Sequence, residues 1–112
     1  MGEVRRHTPR ILVVDDNQDI MGLMQELLAT RGYDVAAVSD AIQAEAEILR
    51  HPPDLILSDV IMPGKSGYEL CRELKENPAT RLIPFVLITG LTDRQDRVLG
   101  IESGADDFLN KP

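Results

Sequence analysis

Hydrophobic positions along the chain follow two alternating patterns. Short, uninterrupted apolar runs with β-branched residues are typical of strands that are buried on both faces of a parallel sheet. Between these runs, apolar residues recur at intervals of three and four, which is typical of amphipathic helices. The runs that we predict to form strands are 10–16, 34–40, 54–59, 83–90 and 106–112, the last of which begins a fifth strand.

Local signals mark the ends of four predicted helices. Asp40 is expected to cap the second helix, and residues 66–69 and 92–95 form capping boxes before the third and the fourth. Gly32 and Gly104 are expected to end the first and the fourth. The apolar residues at helical spacing are Ile20, Leu23, Met24, Leu27 and Leu28, then Ala41, Ala44, Ile48 and Leu49, then Tyr68, Leu70, Cys71 and Leu74, then Val98, Leu99 and Ile101.

This alternation predicts an α/β fold, a doubly wound five-stranded parallel sheet with helices on both faces. Such a sheet needs a further helix after the fifth strand, over the face that the first helix shares. The chain stops at Pro112 with four predicted helices. We therefore expect that the natural chain continues, or that the exposed part of this face favours a homodimer.

Composition and charge narrow the class of protein. The 112 residues suffice for one domain, with 1–9 expected to be a flexible arm and 10–112 the folded unit. The net charge of −7 disfavours direct binding of nucleic acid or of an anionic membrane by this segment. Cys71 is the single cysteine, and no apolar run reaches the length of about 18 residues that a membrane span needs. A chain that cannot form an internal disulfide and has no predicted membrane span is typical of a protein in the reducing cytoplasm.

Polar residues lie at the carboxyl ends of four of the five predicted strands. Asp15 and Asp16 lie at the end of the first strand, Asp59 at the end of the third, Thr89 of the fourth and Lys111 of the fifth. Because parallel strands end at one edge of a sheet, we expect these side chains to converge there. Two carboxylates about 4 Å apart repel by about 4 kcal/mol at an effective dielectric constant near 20. The cluster therefore predicts a bound cation, and carboxylate ligands favour Mg²⁺.

Each of these residues alone has an ordinary interpretation. Asp15 or Asp16 is suited to cap a helix, Asp59 to start a turn, and a strand threonine or a solvated lysine is common. Their joint placement favours a chemical function instead. A carboxylate beside Mg²⁺, a hydroxyl and an ammonium is suited to attack phosphorus and to form an acyl phosphate.

Four fragments carry a resemblance to a known family. ILVVDDN, LILSDVIMPG, LITG and GADDFLNKP occur in this order. Together they resemble the receiver domain of bacterial two-component response regulators, over residues 10–112. The resemblance implies a flavodoxin-like sheet with the strand order 2-1-3-4-5.

The resemblance also implies the roles of the acidic residues. Asp59 would be the phosphoacceptor and a metal ligand, Asp16 a direct Mg²⁺ ligand, and Asp15 a ligand through water. The main-chain carbonyl of Ile61 would complete the protein ligands. The phosphodonor would be a phosphohistidine on a sensor histidine kinase or a histidine phosphotransfer protein. The chain would catalyse only its own phosphorylation and dephosphorylation, so it is not expected to be an enzyme acting on other substrates.

Three further residues match the positions that transmit the signal in this family. Thr89 would be the switch hydroxyl and Phe108 the aromatic switch residue, whose ordinary interpretation is core packing. Lys111 would bridge the phosphoryl group and either Asp15 or Asp59, and a cis peptide bond is expected before Pro112. The changed surface would then be recognised by an output domain or a downstream protein.

Some departures and alternatives stay open. Ile61 is apolar at a position that influences how water reaches the acyl phosphate, and Gly90 stands where the family more often has alanine. A flavin-binding module is disfavoured because the carboxylates of DDNQD repel phosphate, and an aspartyl phosphatase because position 17 is asparagine. The remaining alternative is a degenerate receiver that binds proteins independently of phosphorylation.

Overall fold

Strands and helices alternate along the whole of the computed structural model, which describes residues 8–90 and 94–110. The alternation predicted from the sequence is confirmed. Several strands are shorter than their apolar runs, because the acidic or proline-flanked ends of the runs lie in loops. The elements are β1 (Arg10–Val14), α1 (Gln18–Thr30), β2 (Asp34–Val38), α2 (Ala41–Arg50), β3 (Leu55–Asp59), α3 (Gly67–Glu76), β4 (Phe85–Thr89), α4 (Arg94–Ser103) and β5 (Asp107–Asn110).

The five strands form one parallel sheet in the order β2-β1-β3-β4-β5, as the resemblance implied. The chain runs outward from β1 to β2 and then returns past β1 to β3, so the order reverses between β1 and β3. In this register Val14 pairs with Ser58, and Asp59 pairs with Ile88. The carboxyl ends of β1, β3 and β4 therefore meet at one edge, where a doubly wound sheet forms its ligand crevice.

Alternate residues of each strand point to opposite faces, so the sheet has two apolar layers. Leu12 and Val14 of β1 belong to the larger cluster, which α2 and α3 cover. Ile11 and Val13 belong to the smaller cluster, against which α1 packs. The central strands are therefore buried on both faces, as their uninterrupted apolar runs predicted.

Helical spacing alone does not separate the buried apolar residues of α1 from the exposed ones. Met21, Met24 and Leu28 pack against the sheet. Leu23 and Leu27 are 57% and 55% exposed, because they lie on the side of the helix that turns away from β1. The sheet thus covers only part of the apolar face of α1.

The outer sides of α2 and α4 also carry exposed apolar residues. Leu49 is 77% exposed, since the neighbouring Ile48 takes the inward position and adjacent helical residues point in different directions. Val98, Leu99 and Ile101 on α4 are exposed as well.

The caps predicted for α2 and α3 and the predicted end of α4 agree with the structure. Asp40 accepts a hydrogen bond from the Gln43 N–H at 2.8 Å. Ser66 Oγ accepts one from the Glu69 N–H at 3.2 Å. Gly104 follows α4 with φ +88°, a conformation that glycine adopts without strain. The predicted box at 92–95 begins outside the described residues.

Two other observations concern the limits of the domain. The arm predicted at 1–9 falls mostly outside the described residues, so its boundary stays a prediction. In the part of the chain that the structure describes, every helix is too short or too polar to cross a lipid bilayer.

Candidate functional site

Three carboxylates come together at the carboxyl edge of the sheet. Asp15 and Asp16 follow β1, and Asp59 is the last residue of the neighbouring strand β3. One carboxylate oxygen from each residue lies within 4.8 Å of the other two. Asp15 and Asp59 are buried and Asp16 is exposed, so the cluster extends from the interior to the surface. The predicted convergence of these acids is confirmed.

The turn between β1 and α1 orients the buried carboxylate. The Asp15 N–H donates to the carbonyl of Val38 at 3.1 Å, which continues the pairing with β2. Asp15 Oδ1 accepts a hydrogen bond from the Asn17 N–H at 2.9 Å. Asn17 then caps α1, because its Oδ1 accepts hydrogen bonds from the N–H groups of Asp19 and Ile20. The sequence had suggested Asp15 or Asp16 as the cap, and Asn17 takes that role instead.

An open cleft of about 540 Å³ lies above this edge. The residues that line it are Asp16, Asn17, Asp59, Val60, Ile61, Thr89 and Gly90. Asp59 is only 7% exposed, yet it borders the cleft, so its carboxylate is sheltered and still reachable by a small group. Thr89, at the end of β4, brings a hydroxyl-bearing residue to the same cleft.

The remaining predicted residues lie at the rim of the cleft, against the core, or outside the described part of the chain. Ile61 is 65% exposed at the rim of the cleft, in the link between β3 and α3. Phe108 lies on β5, pairs in register with Leu87 and packs against the larger core cluster. Lys111 and Pro112 lie outside the described residues, so the predicted ammonium and cis bond stay predictions.

The chemistry of the donors fits a hard divalent cation. The three clustered side chains offer only carboxylate oxygens, which Mg²⁺ prefers over nitrogen or sulfur ligands. Like charges this close raise the free energy of the folded protein, and a cation among them removes that cost. The open side of the cleft leaves room for the water molecules that Mg²⁺ usually retains.

One contact of Asp59 was missed by the sequence analysis. Ser58 is fully buried, and its Oγ donates to the main-chain carbonyl of Asp59 at 2.9 Å. A serine inside an apolar strand was the available signal, because a buried hydroxyl needs a hydrogen-bond partner. Its partner could not be read from the sequence.

Comparison with known proteins places the chain in a family. The family model of the response regulator receiver domain matches residues 11–112. Response regulator PleD of Caulobacter vibrioides is 50% identical over 103 residues, which cover 92% of this chain and 23% of PleD. DNA-binding response regulator MtrA of Mycolicibacterium paratuberculosis is 41% identical over 103 residues, which cover 92% of this chain and 44% of MtrA. The chain spans less than half the length of these curated relatives.

A solved structure agrees with the fold. The signal receiver domain of a signal transduction histidine kinase from Syntrophus aciditrophicus is 41% identical and superposes with a TM-score of 0.88. That match covers 94% of this chain and 80% of the other. With the strand order 2-1-3-4-5 and the acidic cluster at the sheet edge, these matches show that the chain belongs to the receiver domain family of bacterial two-component response regulators.

Proposed function

We propose that Asp59 is the phosphoacceptor of this receiver domain. The observation that carries the proposal is the convergence of Asp15, Asp16 and Asp59 within 4.8 Å, beside a cleft that Thr89 also lines. The phosphodonor is a phosphohistidine of a sensor histidine kinase or a histidine phosphotransfer protein. Asp59 suits the acceptor role best because it borders the cleft and ends the central strand β3.

The transfer is a displacement at phosphorus. A carboxylate oxygen of Asp59 forms a bond to phosphorus while the P–N bond of the phosphohistidine breaks. The imidazole leaves with the electron pair of that bond and takes a proton from solvent. The product is an acyl phosphate on Asp59, and attack of water on its phosphorus later regenerates the carboxylate. The protein thereby catalyses only its own phosphorylation and dephosphorylation.

The acidic cluster would hold Mg²⁺ for this step. In this proposal Asp16 and Asp59 would bind the ion directly, Asp15 would act through water, and the main-chain carbonyl of Ile61 would be a further ligand. The ion supplies positive charge that balances the phosphoryl oxygens. Asp15 is held by its hydrogen bond from Asn17, so a buried carboxylate is already oriented before any ion binds. Lys111 would add a second positive charge.

Thr89 and Phe108 form the switch in this proposal. Thr89 ends β4 and borders the cleft, where its hydroxyl can donate to a phosphoryl oxygen. Phe108 lies on the adjacent strand β5, and its half-buried ring packs against the core. A shift of Thr89 would therefore be transmitted through the paired strands to the ring. The domain is in equilibrium between a resting conformation and a switched one. Phosphorylation shifts this equilibrium only as far as the phosphoryl group interacts more favourably with the switched conformation.

The output lies in another domain or protein. MtrA is named a DNA-binding response regulator, and this chain matches less than half of it. We propose that the receiver controls an output domain or downstream protein. One route is a homodimer in which exposed apolar residues such as Leu23 and Leu27 take part. The net charge of −7 disfavours direct contact with nucleic acid or membrane by this segment, and a cytoplasmic location suits the phosphodonor.

Intact mass spectrometry tests the phosphoacceptor. The protein is incubated with acetyl phosphate, with Mg²⁺ or with a chelator, beside the variants Asp59→Asn and Asp34→Asn. Asp34 is an exposed carboxylate at the amino end of β2, so its variant is the matched control. We expect one alkali-labile phosphoryl adduct that requires Mg²⁺ and is lost only in Asp59→Asn. A folded protein without any adduct would instead support the phosphorylation-independent binding module.

A further inference from the structure

The first residue of α3 lies directly against the backbone of Asp59. Gly67 is buried, and a Cβ added to it would lie 2.2 Å from the carbonyl oxygen of Asp59 and 3.1 Å from its carbonyl carbon. A Cβ essentially never approaches another heavy atom within 3.0 Å. Leu87 Cδ2 would also lie 3.1 Å away, but the atom at 2.2 Å belongs to the main chain, so no side-chain rotation can relieve that contact. Glycine at this position is therefore needed for the close approach of α3 to β3.

Hydrogen bonds hold the same segment of backbone from two other directions. Ser58 Oγ donates to the Asp59 carbonyl at 2.9 Å, and Ser58 is fully buried. The Gly67 N–H donates to the carbonyl of Val60 at 2.9 Å. The Val60 N–H donates in turn to the carbonyl of Ile88 on β4 at 3.3 Å. The peptide that follows Asp59 is thus fixed between the start of α3, the end of β4 and a buried hydroxyl.

We propose that Gly67 and Ser58 are positioning residues that set the location of the Asp59 carboxylate relative to Asp15 and Asp16. The carbonyl carbon of Asp59 and its side chain share one Cα, so a displaced carbonyl moves or rotates the carboxylate as well. The inference rests on the proposed function, because it assigns a consequence to the placement of the phosphoacceptor. Neither residue needs to touch the phosphoryl group or the metal ion.

The expected size of the effect follows from the geometry. Relief of a 2.2 Å contact requires a shift of about 1 Å in the backbone of Asp59 or of α3. Misplacement on this scale costs reactions up to about a hundredfold in rate. Mg²⁺ binding is expected to weaken as well, because the three carboxylates lie within 4.8 Å of one another and share one ion in the proposed site.

The chain offers a matched control for this substitution. Gly22 lies within α1, and a Cβ added there has no atom within 4 Å. Gly22→Ala and Gly67→Ala are therefore the same chemical change, one into open space and the other into the backbone of Asp59. Alanine favours a helix over glycine, so Gly22→Ala is expected to keep or raise the melting temperature.

The experiment measures two properties of the folded 112-residue chain for wild type, Gly67→Ala, Ser58→Ala and Gly22→Ala. The first is the Mg²⁺ dissociation constant by calorimetric titration, and the second is the rate of phosphorylation by acetyl phosphate at saturating Mg²⁺. We expect Gly67→Ala to weaken Mg²⁺ binding and to slow phosphorylation by about tenfold or more each. Ser58→Ala should change both in the same direction by about threefold, the size of one net hydrogen bond. Gly22→Ala should match wild type.

A purely structural role would lower the melting temperature of Gly67→Ala and leave both properties of the folded protein unchanged, which overturns the proposal. If Gly67→Ala does not fold, Ser58→Ala decides, and wild-type values for Mg²⁺ affinity and rate in that variant overturn it. Absence of phosphorylation in wild type contradicts the proposed function instead. The Mg²⁺ titration still tests the positioning of Asp59 in that case, so the two failures are distinguishable.

Discussion

The ammonium of Lys75 on α3 meets the carboxylate of Asp106 at 2.7 Å, just before β5. Lys75 Nζ also donates to the carbonyls of Arg81 and Ile83, at 3.1 and 2.9 Å. The same Asp106 oxygen accepts the Phe85 N–H at 2.7 Å. One lysine therefore joins α3, the link to β4 and the start of β5, at the edge of the sheet opposite the acidic cleft.

Replacement of Lys75 by methionine tests the contribution of this junction to stability. Lys75→Met removes the donor from two carbonyls and one carboxylate, and the lysine side chain is only 17% exposed. We expect the free energy of unfolding to fall by about 1–3 kcal/mol, since the partly buried carbonyl of Ile83 and two more exposed acceptors lose their partner. Urea unfolding at neutral pH measures the change. Arg72→Met is the control because Arg72 lies on the exposed side of the same helix, where we expect less than about 0.5 kcal/mol.

The pH dependence of stability reports the charge of Asp106. Burial raises the pKa of this carboxyl, but the hydrogen bonds from Lys75 and from the Phe85 N–H outweigh it, and the pKa lies below the usual 3.8. A carboxyl whose pKa is lower in the folded state stabilises the protein above its unfolded pKa and loses that contribution as pH falls through the folded pKa.

We therefore expect wild type to be more stable than Asp106→Asn at pH 7, with the difference shrinking as pH falls below about 4. Urea unfolding of both proteins across this range measures it, and comparison with the variant removes the contribution of the other carboxyls. A difference that stays constant with pH would show that the charge of Asp106 contributes nothing.

The fold was predictable because the apolar runs, the helical spacings and the rules for parallel sheets all indicated the same architecture. The apolar run of β3 required burial on both faces, and parallel strands necessarily end at one edge. Asp15 and Asp59 are 44 positions apart in the sequence, yet this rule alone brought them together. The convergence of functional residues at strand ends can thus be predicted from the sequence once the strands are known to be parallel.

Contacts that depend on how closely two elements approach were not predictable. Gly67 follows the capping serine and has no sequence signal of its own, because its contact with Asp59 forms only when α3 packs on β3. Lys75 and Asp106 are 31 residues apart and follow no periodic pattern. Leu23 and Leu27 fit helical spacing but are exposed, because spacing shows which residues share a face and not how much of it is covered.

The Asp16 carboxylate is expected to have opposite effects with and without Mg²⁺. Asp16 is the exposed member of the cluster, so Asp16→Asn removes a like charge without creating a cavity. Without Mg²⁺ the melting temperature should stay the same or rise, because repulsion from Asp15 and Asp59 is reduced. With Mg²⁺ the wild type should gain stability by ligand binding and the variant should gain much less.

Thermal unfolding with Mg²⁺ and with a chelator measures both effects. Asp19→Asn is the control, because Asp19 is an exposed carboxylate in the first turn of α1, away from the lining of the cleft. It should retain the Mg²⁺-dependent gain. Equal gains in Asp16→Asn and wild type would remove Asp16 from the proposed ligands.

The side chain of Ile61 and its main-chain carbonyl have separate roles in the proposed site. The side chain is 65% exposed at the rim of the cleft, and an apolar group there cannot orient a water molecule for attack on the acyl phosphate. Asparagine adds a donor and an acceptor at that position. We expect Ile61→Asn to shorten the lifetime of the phosphorylated protein several-fold, well below the roughly 10²- to 10⁴-fold that a side chain positioned for proton transfer contributes. The Mg²⁺ affinity should stay within about twofold, because the proposed ligand is the carbonyl, which the substitution retains.

Decay of the phosphoryl adduct by intact mass measures the lifetime, and calorimetric titration measures the affinity. Ile42→Asn is the matched control, since Ile42 is 74% exposed on α2 and does not line this cleft. It should leave both quantities at their wild-type values. An unchanged lifetime in Ile61→Asn would mean that water reaches the acyl phosphate by a path that this side chain does not border. A large loss of Mg²⁺ affinity would mean instead that the side chain holds the β3–α3 link in the conformation that the carbonyl ligand requires.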